Sequence, residues 1–191
     1  LTKQGVLTIL PLNVLRTKKE GIVKSAVWEN IFRGRSKDES KEVMALRQVP
    51  VFEDLGPKEL AEIEKLVHHR TYKPDEYVFR RNAPGEGLYL ILQGKVDILS
   101  ETEEGKQNLV ASLKEGDFFG DLSLLDREPR SANAVSTDHS ELLGFFRPDL
   151  TGLLKRKPSL GAKILFNLAR VIGERLRKTN ELLAEAQSQS K

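Results

Sequence analysis

Cysteine is missing from this 191-residue chain altogether. No disulfide frame, thiolate nucleophile or thiolate-bound metal can therefore be built from it, which is compatible with a cytoplasmic protein. Histidine is nearly as scarce, with three in all. His68 and His69 are adjacent and His139 stands alone in a turn, so the two-histidine, one-carboxylate metal site of a cupin-type enzyme is not available. No nucleophile and base pair stands out either, so no catalysis, cofactor or metal is expected. Charge of one sign is lacking too: 31 Lys and Arg against 28 Asp and Glu leave a net +3, too small an excess to argue for nucleic-acid binding. The longest apolar run, Gly5 to Leu15, falls short of a membrane span and is interrupted by Thr8, Pro11 and Asn13. The chain opens on Leu1 rather than Met, which leaves room upstream for a signal peptide or a preceding domain.

What is present divides into three segments. Residues 1–45 read as a basic leader, in which Ile22, Val23, Ala26, Val27, Ile31 and Phe32 recur at helical spacing. This helix is read as packing Trp28 and Phe32 on the domain that follows, with a docking or dimer surface as the alternative, and Gly34 to Lys41 as a linker or helix start. Residues 46–158 hold the main domain. A helix signalled by Gly56-Pro57 carries Leu60, Ile63, Leu66 and Val67 on one face and is read as ending on His68 and His69. Helical neighbours point in different directions, so that pair is not read as metal ligands.

From Arg70 to Arg147 short apolar runs alternate with turn residues, as in an antiparallel barrel or sandwich. Candidate strands are Tyr77 to Phe79, Leu88 to Leu92, Lys95 to Ser100, Asn108 to Leu113, Ala132 to Ser136 and Leu142 to Phe146. Turns are marked by Lys73-Pro74-Asp75, Ala83-Pro84-Gly85, Gln93-Gly94, Glu104-Gly105 and Glu115-Gly116-Asp117. A short helix follows over Pro148 to Leu154. Residues 159–191 then form a long helix, Ser159 to about Ala186, with Leu165, Leu168, Ile172, Leu176, Thr179 and Leu183 as a stripe. Such a stripe can cover the domain, pair with a second copy, or both.

The most informative stretch is Phe118 to Val135, FFGDLSLLDREPRSANAV. Phe118, Phe119 and Gly120 close an apolar strand, and Asp121 to Leu125 have the composition of one helical turn whose first N–H groups suit an anion. Beyond Pro129, Arg130 brings a guanidinium fork that can grip two phosphate oxygens, and Ser131 adds a hydroxyl. Gly, acidic residue, Leu, small residue, Leu, Leu, a short gap and Pro-Arg-Ser-Ala together resemble the phosphate-binding cassette of the cyclic-nucleotide-binding domain family. KPDEYVFRRNAPGEGLYLILQGKVDI resembles the first half of that family's roll, and the resemblance spans about Val51 to Leu183.

That resemblance implies a mostly β fold with flanking helices: an antiparallel eight-stranded β-roll, jelly-roll-like, with N-terminal helices and a long C-terminal helix. It also implies a regulatory module for cyclic AMP or a related cyclic nucleotide. Backbone N–H groups of Gly120, Asp121, Leu122 and Ser123 would hold the cyclic phosphate with Arg130 and Ser131, and Asp121 would face the ribose, where the family usually has Glu. RLRKTNELL resembles the base-contacting segment of the family's C-helix, which makes Thr179 and Asn180 base-contact candidates. The same helix often forms a homodimer. Only Leu182 to Lys191 remain beyond the base-contact candidates, too few for a helix-turn-helix domain, so direct DNA binding by this chain is not expected. The competing expectation is a structural dimerisation module whose pocket has lost its ligand, with Asp121 as its best support.

Overall fold

The run GLYLILQ, residues Gly87–Gln93, is buried at six consecutive positions, as expected of a strand covered on both faces. Two layers account for this. The computed structural model describes residues 39–102 and 105–189; the helix read over Ile22 to Phe32 lies outside them. The elements are α1 (Lys41–Arg47), a 3-10 turn (Pro50–Phe52), α2 (Pro57–Glu64), β1 (His68–Tyr72), β2 (Tyr77–Phe79), β3 (Gly87–Gln93), β4 (Lys95–Glu101), β5 (Gln107–Lys114) and β6 (Phe118–Phe119). After these come a second 3-10 turn (Asp121–Leu124), β7 (Asn133–Ser136), β8 (Ser140–Phe146), α3 (Arg147–Arg156) and α4 (Pro158–Gln189).

The strands form two four-stranded antiparallel sheets, ordered β1-β8-β3-β6 and β2-β7-β4-β5. This is an eight-stranded β-roll. Because successive strand residues point to opposite faces, Leu88, Leu90 and Leu92 of β3 pack towards the helices with Phe52, Leu143 and Phe145, while Tyr89 and Ile91 fill the roll interior with Val96, Ile98, Leu113 and Phe119. Each such side chain, fully buried, contributes roughly 1.5–3 kcal/mol relative to exposure.

Gly87 sits where β3 passes close to β8. A Cβ there would lie 2.2 Å from the Phe145 carbonyl oxygen, so Gly87→Ala is expected to cost ~3 kcal/mol, the upper end of ordinary overpacking. A urea unfolding curve measures it, and an unchanged midpoint would contradict the close approach.

The first half of α4 is strapped to the N-terminal helices. Lys163 Nζ donates to Glu59 at 2.7 Å, Asn167 Nδ2 to the Val51 carbonyl at 3.3 Å, and Arg170 pairs with Glu53. Glu59 also accepts from the Gly56 N–H at 2.9 Å, capping α2. Helix α1 starts on Ser40, whose Oγ accepts from the Val43 N–H, and buries Val43 and Leu46 in the same core as α2 and α4.

One expectation is corrected here. His68 and His69 do not end a helix: α2 stops at Glu64, and the two histidines open β1, paired with Gly144 and Leu143 of β8. There they point to opposite sides, His68 to Asp149 at 3.3 Å and His69 to Glu42 at 3.4 Å. No helix among the described residues is long and apolar enough to cross a membrane.

Candidate functional site

Phe118 packs towards the helices and Phe119 into the roll interior, and the chain then turns sharply at Gly120. Its φ of +76° is a conformation that glycine adopts without penalty. A Cβ there would meet Arg130 Nη1 at 2.6 Å and the Gly87 carbonyl at 3.0 Å, so glycine is needed twice over. The following 3-10 turn buries Asp121, Ser123 and Leu124. Ser123 does not offer a free amide to a ligand, because its N–H bonds the Gly120 carbonyl at 3.2 Å. A four-residue turn closes its hydrogen bonds one residue sooner than an α-helix, so the set of open amides is narrower than the sequence suggests.

Arg130 is held by its own backbone: its N–H bonds the Ala83 carbonyl and its carbonyl accepts from Asn82, both at 2.8 Å. The side chain then runs inward and is 6% exposed. Nη1 donates to Ser123 Oγ at 2.9 Å and to the Gly120 carbonyl at 3.3 Å, and Nη2 donates to the Gly87 carbonyl at 2.9 Å. The guanidinium lies 4.1 Å from the Phe79 ring centroid. Every hydrogen-bond partner is neutral, Nε has none, and no ion pair involves Arg130 among the described residues. Burial pulls its pKa below the ordinary arginine value, with Tyr89 and Glu86 acting in the other direction. Arginine stays charged even so, leaving a buried cation without a counterion.

Asp121 already has a partner within the chain. Both carboxylate oxygens accept from Arg175 Nη1 of α4, at 2.7 and 2.8 Å. The side chains are 3% and 13% exposed, and the Arg175 guanidinium lies 5.2 Å from the Phe118 ring centroid. This ion pair ties the cassette to the second half of α4. Arg175 was not among the residues singled out from the sequence, yet a signal was there: Ile164, Leu168, Val171, Arg175 and Thr179 step by three or four, and an arginine inside a buried row needs a partner.

These groups line one cavity of about 280 Å³. Its wall brings together Gly120, Asp121, Leu122, Ser123, Arg130 and Ser131, together with Arg175. The roll contributes apolar side chains, among them Ile98 and Leu113. Thr179 is buried and Asn180 exposed, and neither lines the cavity. A buried cation on the wall of a chamber lined mainly by apolar side chains, with Asp126 and Glu128 also on its lining, suits a ligand with one anionic group and a flat apolar body.

A model described as a cyclic nucleotide-binding domain matches residues 69–157. A crystal structure of the N-terminal domain of a transcriptional regulator from Streptomyces coelicolor A3(2) is 31% identical, with a TM-score of 0.63 over 72% of this chain and 95% of that one. This chain belongs to the cyclic-nucleotide-binding domain family. Within that family it is 34% identical over 131 residues to the cyclic AMP receptor protein of Thermus thermophilus, covering 69% of this chain and 59% of that protein. The crystal structure of the Thermus thermophilus catabolite activator protein gives 33% identity and a TM-score of 0.65, over 73% of this chain and 63% of that one. The chain thus spans less than two thirds of the length of both. The stretch that resembles the family's cassette, Phe118 to Val135, lies within the matched residues.

Proposed function

We propose that this module binds a cyclic nucleotide, cyclic AMP before others, and that α4 responds to it. The observation that carries the reading is Arg130, buried on the cavity wall with no ion pair among the described residues and with Nε unpartnered. Burying a cation unpaired is costly, and a cyclic phosphate supplies the missing charge and accepts from Nε. Ser131, on the exposed lip of the same wall, adds a hydroxyl. The preference for cyclic AMP is supported by the name of the Thermus thermophilus relative.

The response of α4 follows from the Asp121–Arg175 pair. A sugar placed against Asp121 competes with Arg175 for the same carboxylate, so the ligand binds the two positions of α4 unequally and shifts their population. Thr179, one turn beyond Arg175, and Asn180 are the base contacts of a state in which this half of α4 has moved onto the cavity. The outer face of α4 leaves Phe166, Leu176 and Leu183 exposed at 73%, 58% and 43%. Their spacing of ten and seven residues fits one seam of a two-stranded coil, which a second copy of the chain would cover.

Calorimetric titration of the purified chain with cyclic AMP, cyclic GMP and a cyclic dinucleotide tests this reading. Saturable binding of one cyclic AMP per chain, tighter than the other two, is expected. The competing reading, a dimerisation module without a ligand, draws on Asp121 being already committed to Arg175, and it would be preferred if none of the three gave heat.

A further inference from the structure

A second arginine, outside the cavity wall, holds the same two segments as Arg130. Arg147 is the first residue of α3. Its Nε donates to the Ser123 carbonyl at 3.0 Å, its Nη2 donates to the Gly85 carbonyl, and its own N–H bonds the Glu86 carbonyl at 2.8 Å. Arg130 holds Ser123 through Oγ and the neighbouring loop through the Gly87 carbonyl. Ser123 is thus gripped from both sides, by its hydroxyl from the anion site and by its carbonyl from α3. Segment 85–87 is gripped in the same way.

We infer that Arg147 is a positioning residue that links the cassette to α3, by a route separate from the Asp121–Arg175 pair. A planar fork with donors to two carbonyls on different segments fixes their spacing as a point charge cannot. An anion that draws Arg130 off Ser123 Oγ, or shifts the turn, alters the position of the Ser123 carbonyl. The first turn of α3 is then drawn along, because Arg147 is part of it. Helix α3 leads directly into α4 through Lys157, so the start and the middle of the helical segment would respond at two different points.

The ligand-dependent half of this inference rests on the nucleotide reading of the cavity, whereas the clamp itself does not. The test therefore begins on the ligand-free chain, with urea unfolding of Arg130→Gln, Arg147→Gln and the double variant. Residues sharing partners are non-additive. The double variant is expected to depart from the product of the single effects by more than about threefold in the unfolding equilibrium constant. Arg147→Lys, which keeps the charge without the fork, is expected to behave as Arg147→Gln. Additive singles, or full rescue by lysine, overturn the clamp whatever the cavity binds.

The second arm is hydrogen exchange over Arg147–Arg156 with and without saturating cyclic AMP. Arg147→Gln is expected to bind within about tenfold of the native chain but to lose the ligand-dependent change in α3. Persistence of that change in Arg147→Gln overturns the link. A coupled cycle in a chain that binds no nucleotide keeps the clamp and overturns the nucleotide reading.

Discussion

Arg130→Ala is expected to lower the affinity for cyclic AMP by at least two orders of magnitude while the roll stays folded. A hydrogen bond to a charged group is worth ~1.5–3 kcal/mol, and the guanidinium can offer more than one to a cyclic phosphate. Two such bonds amount to roughly a hundredfold or more. The fold tolerates the change because the buried charge costs free energy when no anion is present, and its removal offsets much of what is lost with the bonds to Gly120, Ser123 and Gly87. Arg130→Lys should fall between, since an ammonium keeps the charge and not the fork. Thermal unfolding with and without cyclic AMP reads both effects together. The native chain gains about 2.7 kcal/mol at a ligand concentration one hundred times its Kd, whereas Arg130→Ala gains no more than about 0.4 kcal/mol at that concentration. Equal ligand stabilisation of the two proteins would place the anion elsewhere.

Arg175→Ala is expected to destabilise the ligand-free chain strongly, by up to ~3–5 kcal/mol. Its substitution leaves Asp121, whose side chain is 3% exposed and whose hydrogen bonds both go to Arg175, as a buried carboxylate without a partner. The double variant Asp121→Ala/Arg175→Ala should recover most of that loss, because a missing pair costs far less than a broken one. Urea unfolding of the two single variants and the double variant decides it. A double variant no more stable than Arg175→Ala would mean that the pair itself, and not the stranded charge, carries the energy. Nucleotide affinity should separate from stability in this series, because Arg130 remains in all of it.

The cassette was legible from the sequence because its chemistry is local: a glycine at a forced turn, an acidic residue, and an arginine after a proline all lie within one short stretch. Most strands were legible for a similar reason, since β3, β4, β5, β7 and β8 carry apolar residues that point into one or both layers. Strand β1 was not, because HHRTY is polar and largely exposed and becomes a strand by pairing with the edge of β8 rather than by burying a face. On α4 the apolar residues are numerous enough to support more than one stripe. The buried row runs through Leu160, Ile164, Leu168, Val171 and Thr179; it shares Leu168 and Thr179 with the stripe read from the sequence but lies one residue off it at Leu165 and Ile172. That offset hid Arg175, which looks like a solvated spacer on one stripe and an inward-facing cation on the other. Thr179, which the stripe includes, is buried, and Asn180, which it leaves out, is exposed. Arg147 was invisible for another reason, because both its acceptors are backbone carbonyls that only the fold brings to it.

Hydrogen exchange of the native chain, with and without saturating cyclic AMP, tests most directly whether an anion at Arg130 is read by α4. Two segments matter: Gly120 to Leu125 of the cassette, and Glu174 to Leu183 of α4 around the Asp121–Arg175 pair. Both are expected to change on binding, whereas the first half of α4, strapped through Lys163, Asn167 and Arg170, keeps its protection. Saturating nucleotide that leaves Glu174 to Leu183 unchanged would contradict it and make the domain a passive binder.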